Sequence, residues 1–209
     1  MIEGVWLAGL VLGLVLLLVG EFNGRIALRA PSKILASSCF IGLAAAHGSL
    51  VGPTAGWLLA ALCLCWLGDV LLLGSSRPAF LGGLVAFLLG HLAYVGAFAV
   101  AGLDAGAAGI AAAVLVVPAV FVFRWLKPNL PGPMVGPVFA YMVVISLMLA
   151  GAVGRLAMDA PPRILVAAVM FYVSDLAVAR NRFVAPGPMN RLWGLPLYYG
   201  AMALLALGV

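Results

Sequence analysis

Two aspartates sit inside apolar runs long enough to cross a bilayer: Asp69 in Trp66-Leu-Gly-Asp-Val-Leu-Leu-Leu-Gly74 and Asp175 in Phe171-Tyr-Val-Ser-Asp-Leu-Ala177. An ionisable side chain in a membrane helix costs from about 2.5 kcal/mol upwards, so it is tolerated mainly where it faces a polar interior and has a function. Two such acids in one small chain ask for a common explanation. Carboxyl groups that share a partly desolvated site supply one proton donor and one anion, because burial and mutual repulsion keep them from ionising together. The sequence leaves open which acid takes which role. The bland alternative is that each is a structural hydrogen-bonder, capping a broken helix or pairing with Arg77 or Arg180.

The elements that must position these acids are helices. Only 8% of the 209 residues are charged and 66% are hydrophobic, and mean hydropathy is +1.25, far outside the soluble globular range. The expectation is an all-α polytopic membrane protein, one membrane domain over residues 1–209, with eight transmembrane helices. The spans fall at roughly 5–19, 34–50, 56–74, 79–101, then from the break at 102–106 to about 123, and at 134–153, 163–179 and 192 to the end. The linker after the first span holds Glu21, Asn23, Arg25, Arg29 and Lys33, with Pro31 suited to the start of the second helix. A weak repeat adds that Asp69 is followed 25 residues later by Tyr94, and Asp175 after 23 and 24 residues by Tyr198 and Tyr199. It suggests two parallel four-helix repeats, although identity between the halves is low.

The loops supply direction. Nine of the eleven basic residues fall in the odd-numbered loops, leaving Arg155 and Arg163 for the even ones. The positive-inside rule then places odd loops in the cytoplasm and both termini on the other side. Both acid-bearing helices run inward, and each acid stops about one turn short of the cytoplasmic boundary. For Asp69 this is roughly 7 to 8 Å at 1.5 Å per residue. The two carboxylates are expected at one depth, near the level of the lipid head groups.

Other residues are weighed against these. The formal charge of +5 reports orientation, and no basic cluster is dense enough for nucleic acid. Cys39, Cys63 and Cys65 read as small apolar packing residues. Two histidines at different depths leave no metal-ligand spacing, so neither a metal nor a cofactor is expected. His91 is an additional acid or a polar partner near the bilayer middle or, more simply, a residue bonded to a neighbouring helix; Tyr94 shares its face. Tyr141, Tyr198 and Tyr199 are pocket donors or interface anchors, and Arg77 and Arg182 are phosphate holders or topology signals. Ser174 lies beside Asp175 without any nucleophile motif. His47 lies toward the opposite membrane face and is expected to be uninvolved.

Gly68-Asp-Val-Leu-Leu72, Phe80-Leu-Gly-Gly-Leu-Val-Ala-Phe-Leu-Leu-Gly-His-Leu-Ala-Tyr94, Phe171-Tyr-Val-Ser-Asp-Leu-Ala-Val-Ala179 with Arg182 and Phe183, and Tyr198-Tyr-Gly-Ala201 follow one another along the chain. In that order they resemble the YhhN family of membrane lysoplasmalogenases. The resemblance implies an eight-helix hydrolase that cleaves the vinyl ether bond of a lysoplasmalogen to a fatty aldehyde and a glycerophospho-head-group product. Its partners would be a lysophospholipid substrate and membrane lipids. Asp69 and Asp175 fall where the family's two proposed essential aspartates stand. The other site residues expected, as substrate-binding groups, are His91, Tyr94, Tyr141, Ser174, Arg77, Arg182, Tyr198 and Tyr199. The clearest departure is Pro31-Ser-Lys33 in place of a Lys-Pro order, so no head-group role passes to Lys33. The rival class is a small transporter or lipid-binding module with the acids as ion sites.

Overall fold

The computed structural model describes residues 2–209 and contains eight α-helices. They are α1 (Ile2–Phe22), α2 (Ile26–His47), α3 (Ala55–Leu71), α4 (Arg77–Ala101), α5 (Ala105–Leu126), α6 (Gly132–Leu156), α7 (Arg163–Ala179) and α8 (Pro188–Ala206). A 3₁₀ turn, Lys127–Asn129, follows α5, and a π turn, Arg180–Val184, extends α7. Six helices are long and apolar enough to cross a membrane, which makes the chain a multi-pass membrane protein. The two outside that set are α3, apolar but only 17 residues long, and α8, whose apolar character is diluted by Asn190, Arg191, Tyr198 and Tyr199.

Consecutive helices pair as hairpins, α1 with α2, α3 with α4, α5 with α6 and α7 with α8. The hairpins join through contacts of α2 with α3, α4 with α6, α6 with α7, and α8 with both α1 and α2. The inner helices α2, α3, α4, α6, α7 and α8 therefore surround a common interior, while α5 lies against α6 with its apolar residues facing outward. Of α5, only Leu126 is buried, as suits a lipid-facing helix. Small residues let the inner helices approach. A methyl group on Gly68 would stand 2.6 Å from the ring of Phe87, so the residue before Asp69 has to be glycine for α3 and α4 to meet there.

The second helix corrects the sequence reading. It begins at Ile26, not near residue 34, so Arg29, Pro31 and Lys33 lie within α2 and not in a linker. Gly24, at φ +65°, turns the chain sharply enough for α2 to start almost at once after α1. Pro31 is accommodated inside the helix, where neighbouring helices and local adjustment offset its missing N–H. Likewise α8 begins at Pro188, four residues before the expected 192. In both cases the polar first turn carries residues that the sequence reading left in loops. Cys39 and Cys65 pack in the core and Cys63 is exposed.

Candidate functional site

Asp69 lies in the last turn of α3, and its carboxylate is met from two other helices. Ser37 Oγ of α2 donates to Oδ2 at 2.5 Å, and Tyr198 OH of α8 donates to the same oxygen at 2.8 Å. Lys33 Nζ lies 3.0 Å from Oδ1. Lys33 and Ser37 are four residues apart, hence on one face of α2 and aimed at one target. Around them, Tyr199 OH lies 3.2 Å from Ser37 Oγ and 3.5 Å from the Lys33 carbonyl. Every polar group facing Asp69 can donate, and one carries a full positive charge, which is the setting of a paired buried carboxylate.

Asp175 lies four residues before the end of α7 and has a different setting. Tyr141 OH of α6 donates to Oδ2 at 2.6 Å. His91 of α4 donates from Nδ1 to the carbonyl of Phe87 in its own helix, at 2.7 Å. This corrects the expectation of a bond to a neighbouring helix. The reason is geometric, since the carbonyl four residues back is within reach of the ring and a carbonyl only accepts. The tautomer is thereby fixed, leaving Nε2 pointing at Asp175 Oδ2 from 3.6 Å, too far for a direct hydrogen bond. Nε2 is buried and has no hydrogen-bond partner.

An aromatic wall joins the two settings. Tyr198 packs against Phe171 with centroids 5.6 Å apart and the rings inclined, and Phe171 against His91 at 4.2 Å. Phe87 closes the wall against Tyr198 at 5.7 Å. Both carboxylates border one cavity of about 450 Å³, within the range of small-molecule sites. Its lining grades from charged to apolar. Glu21, Arg29 and Arg191 stand at one end, and Leu84, Met142 and Ile145 at the other. On α6 the lining runs from Val138 to Ile145, roughly 10 Å along that helix.

The remaining expected residues separate into two groups. Ser174, Tyr141, Tyr198 and Arg182 border the cavity. Arg182 lies over the ring of Phe80, 4.4 Å from its centroid, and the Ser174 hydroxyl is turned back to the Phe171 carbonyl at 2.7 Å. Tyr199 stands behind Ser37, one residue removed from Asp69. Tyr94 is fully buried in the core and donates to Met202 Sδ at 3.8 Å, away from the cavity. Arg77 is exposed at the first position of α4 and borders no part of it. Arg180 bonds Asn190, so neither of the arginines considered as structural partners for the acids meets them. His47 pairs with Glu3 at 3.0 Å, remote from both acids. Among the described residues, no three His, Cys, Asp or Glu side chains converge as a metal site needs. Sequence reasoning missed Lys33, Ser37, Glu21, Arg29 and Arg191. The spacing of Lys33 and Ser37 was a usable signal, hidden by starting α2 too late.

A polytopic helical membrane protein with an interior amphiphilic cavity and two carboxyl groups on its wall belongs to the class of intramembrane enzymes and carriers. Within that class the chain belongs to the YhhN family, whose model matches residues 28–209. Similar proteins include lysoplasmalogenase TMEM86A of Bos taurus, 29% identical over 84% of this chain and 75% of its own length. The lysoplasmalogenase of Mycobacterium bovis is 33% identical over 88% of this chain and 69% of its own, and human TMEM86A is 30% identical. No solved structure matches the chain.

Proposed function

We propose that this protein is a lysoplasmalogenase that hydrolyses the vinyl ether bond of a lysophospholipid in the membrane, with Asp175 as general acid and Asp69 as the resident anion. The observation that carries the reading is the pair of unlike carboxyl settings on one amphiphilic cavity, in a family whose named relatives are lysoplasmalogenases. The lipid chain would occupy the apolar part and the head group the charged end. Asp175, with no fixed cation beside it, gives its proton to the alkene carbon remote from oxygen, and the C=C pair forms the new C–H bond. The oxocarbenium ion so created is stabilised by the Asp69 carboxylate, held in place by Lys33, Ser37 and Tyr198. Water adds to the cationic carbon and returns a proton to Asp175. The resulting hemiacetal collapses to the aldehyde and the free glycerol hydroxyl. Tyr141 orients Asp175 through its hydrogen bond, Arg182 and Ser174 complete the binding wall, and Tyr199 supports Ser37 from behind.

We also read the chain as eight crossings in two parallel four-helix repeats. Under a four-helix shift the contact of α2 with α3 maps onto α6 with α7, α3 with α4 onto α7 with α8, and α4 with α6 onto α8 with α2, all three of which occur. Asp69 on α3 is then the counterpart of Asp175 on α7. Ser37 on α2 matches Tyr141 on α6, and Tyr198 on α8 matches His91 on α4. The short α3 and the polar α8 fall outside a hydropathy count because they carry the site. We place the odd-numbered loops, and with them the acids, on the cytoplasmic side.

The test is aldehyde release from a 1-alkenyl lysophospholipid by the purified protein in detergent, with Asp175→Asn in parallel. Release by the wild type and none by the variant is expected. No release with either choline or ethanolamine head groups from a folded protein would overturn the reading and favour lipid transport.

A further inference from the structure

The charged end of the cavity holds a cluster that the proposed chemistry does not use. Glu21 Oε2 forms an ion pair with Arg29 Nη2 at 2.8 Å and accepts from Arg191 Nη1, and all three side chains border the cavity. Two guanidinium groups against one carboxylate leave one positive charge uncompensated, and Arg29 Nε is buried without a hydrogen-bond partner.

The placement of these groups runs against the helix dipoles. Glu21 is next to last in α1, where partial negative charge already accumulates, while Arg29 and Arg191 stand in the first turns of α2 and α8, where it is positive. Neither of these two helix starts has a side-chain cap, so their first N–H groups add to the positive field. Stability alone would select the opposite charges. The arrangement makes sense if an anion completes it, with Glu21 fixing the two guanidinium forks in the meantime.

We propose that Arg29 and Arg191, aligned by Glu21, seat the phosphodiester of a lysolipid head group. The inference rests on the lysophospholipid reading of the cavity, and it sets the register of the substrate. Arg29 is one helical turn from Lys33, which is roughly 6 Å along the α2 axis. In a 1-alkenyl glycerophospholipid the phosphorus and the vinyl ether oxygen are five bonds apart, about 6 Å when extended at ordinary backbone rise. Phosphate on the arginine pair therefore brings the ether oxygen level with Lys33 and Asp69, and the chain onward into the apolar part. Guanidinium forks match phosphate oxygens bidentately, which lysine in the same place would not do.

The test uses binding, so that it does not depend on turnover. Titrate detergent-solubilised protein with a saturated 1-alkyl lysophospholipid, which has no vinyl ether to cleave, and with the matching 1-alkylglycerol, which has no phosphate. The wild type should bind the phospholipid at least about 10-fold more tightly, and Arg29→Gln and Arg191→Gln should each remove most of that preference. Binding of the alkylglycerol reports that each variant is folded, and the more exposed Arg191 carries the test should Arg29→Gln not fold. Equal binding of the two lipids by the wild type, or a preference that survives both arginine substitutions, would overturn the seat. Inorganic phosphate binding as tightly as the lipid would overturn its assignment to a lipid head group. Aldehyde release, measured separately, fails or succeeds independently of these outcomes.

Discussion

The two acids occupy matching places in the fold and differ in almost everything that touches them. Asp69 has 4% of its side chain exposed, against 17% for Asp175. A lysine and two hydroxyls fill both oxygens of the first. One phenol meets the second, with an imidazole nitrogen standing off at 3.6 Å. A buried carboxylate with a cation and two donors is fixed in place. A carboxyl group with a free oxygen on the cavity can take and release a proton. The contrast between the two settings comes from the neighbouring side chains, Lys33 above all.

The largest effects should come from the acids themselves. Asp69→Asn and Asp175→Asn are each expected to lower aldehyde release by about 1,000-fold or more, as loss of an essential acid or of charge stabilisation does. Stability should separate them. Asp69→Asn strands the Lys33 ammonium in a buried site, where an unpaired charge costs about 3–5 kcal/mol, so its Tm should fall well below that of Asp175→Asn. Equal Tm values, measured in the same detergent, would erase the contrast between the settings.

Next in size is Lys33→Met, which leaves Asp69 buried with hydroxyl donors only. We expect a fall of about 100-fold in kcat/KM, with Lys33→Arg recovering part of it, on the scale of one lost electrostatic contact. The combination with Asp69→Asn is the sharper measurement. If Lys33 acts through Asp69, the double variant is no slower than Asp69→Asn alone. A further multiplicative loss would give Lys33 an independent role.

Much of this was legible in the sequence for reasons that can be traced. Asp69 and Asp175 stood out because charge in an apolar run is expensive, and their common depth followed from counting helices against basic loops. What stayed hidden depended on two boundaries. Lys33 and Arg29 are ordinary loop residues if α2 starts near 34, and Pro31 encouraged that reading because proline favours helix starts; Glu21 is one if α1 ends near 19 and not at Phe22. Once α2 starts at Ile26, Lys33 and Ser37 share a face, and the face points to Asp69. The partner of Glu21 in α8, 170 residues away, is a tertiary fact that no local pattern encodes. His91 shows the converse, since its type and position were evident but its ring orientation came from a carboxyl-facing wall and a carbonyl in its own helix.

Hydroxyl removal gives the smallest effects and tests the comparison most finely. Tyr198→Phe takes one of three donors from Asp69 and leaves Lys33 and Ser37, so the anion stays held and kcat should fall by about 5-fold, near one ordinary hydrogen bond. Tyr141→Phe removes the hydrogen bond that Asp175 accepts at 2.6 Å and should cost about 10-fold or more. Its pH profile should move as well, because the bond bears on a group that exchanges its proton in each turnover, whereas that of Tyr198→Phe should not. Tyr94→Phe sets the floor. Its hydroxyl meets only a methionine sulfur at 3.8 Å, off the cavity, and kcat/KM should remain within about 2-fold of wild type, as for a weak acceptor. A loss as large as that of Tyr141→Phe would mean that the working cavity reaches deeper between α4 and α8 than the one described, and that the two acids are not its only polar floor.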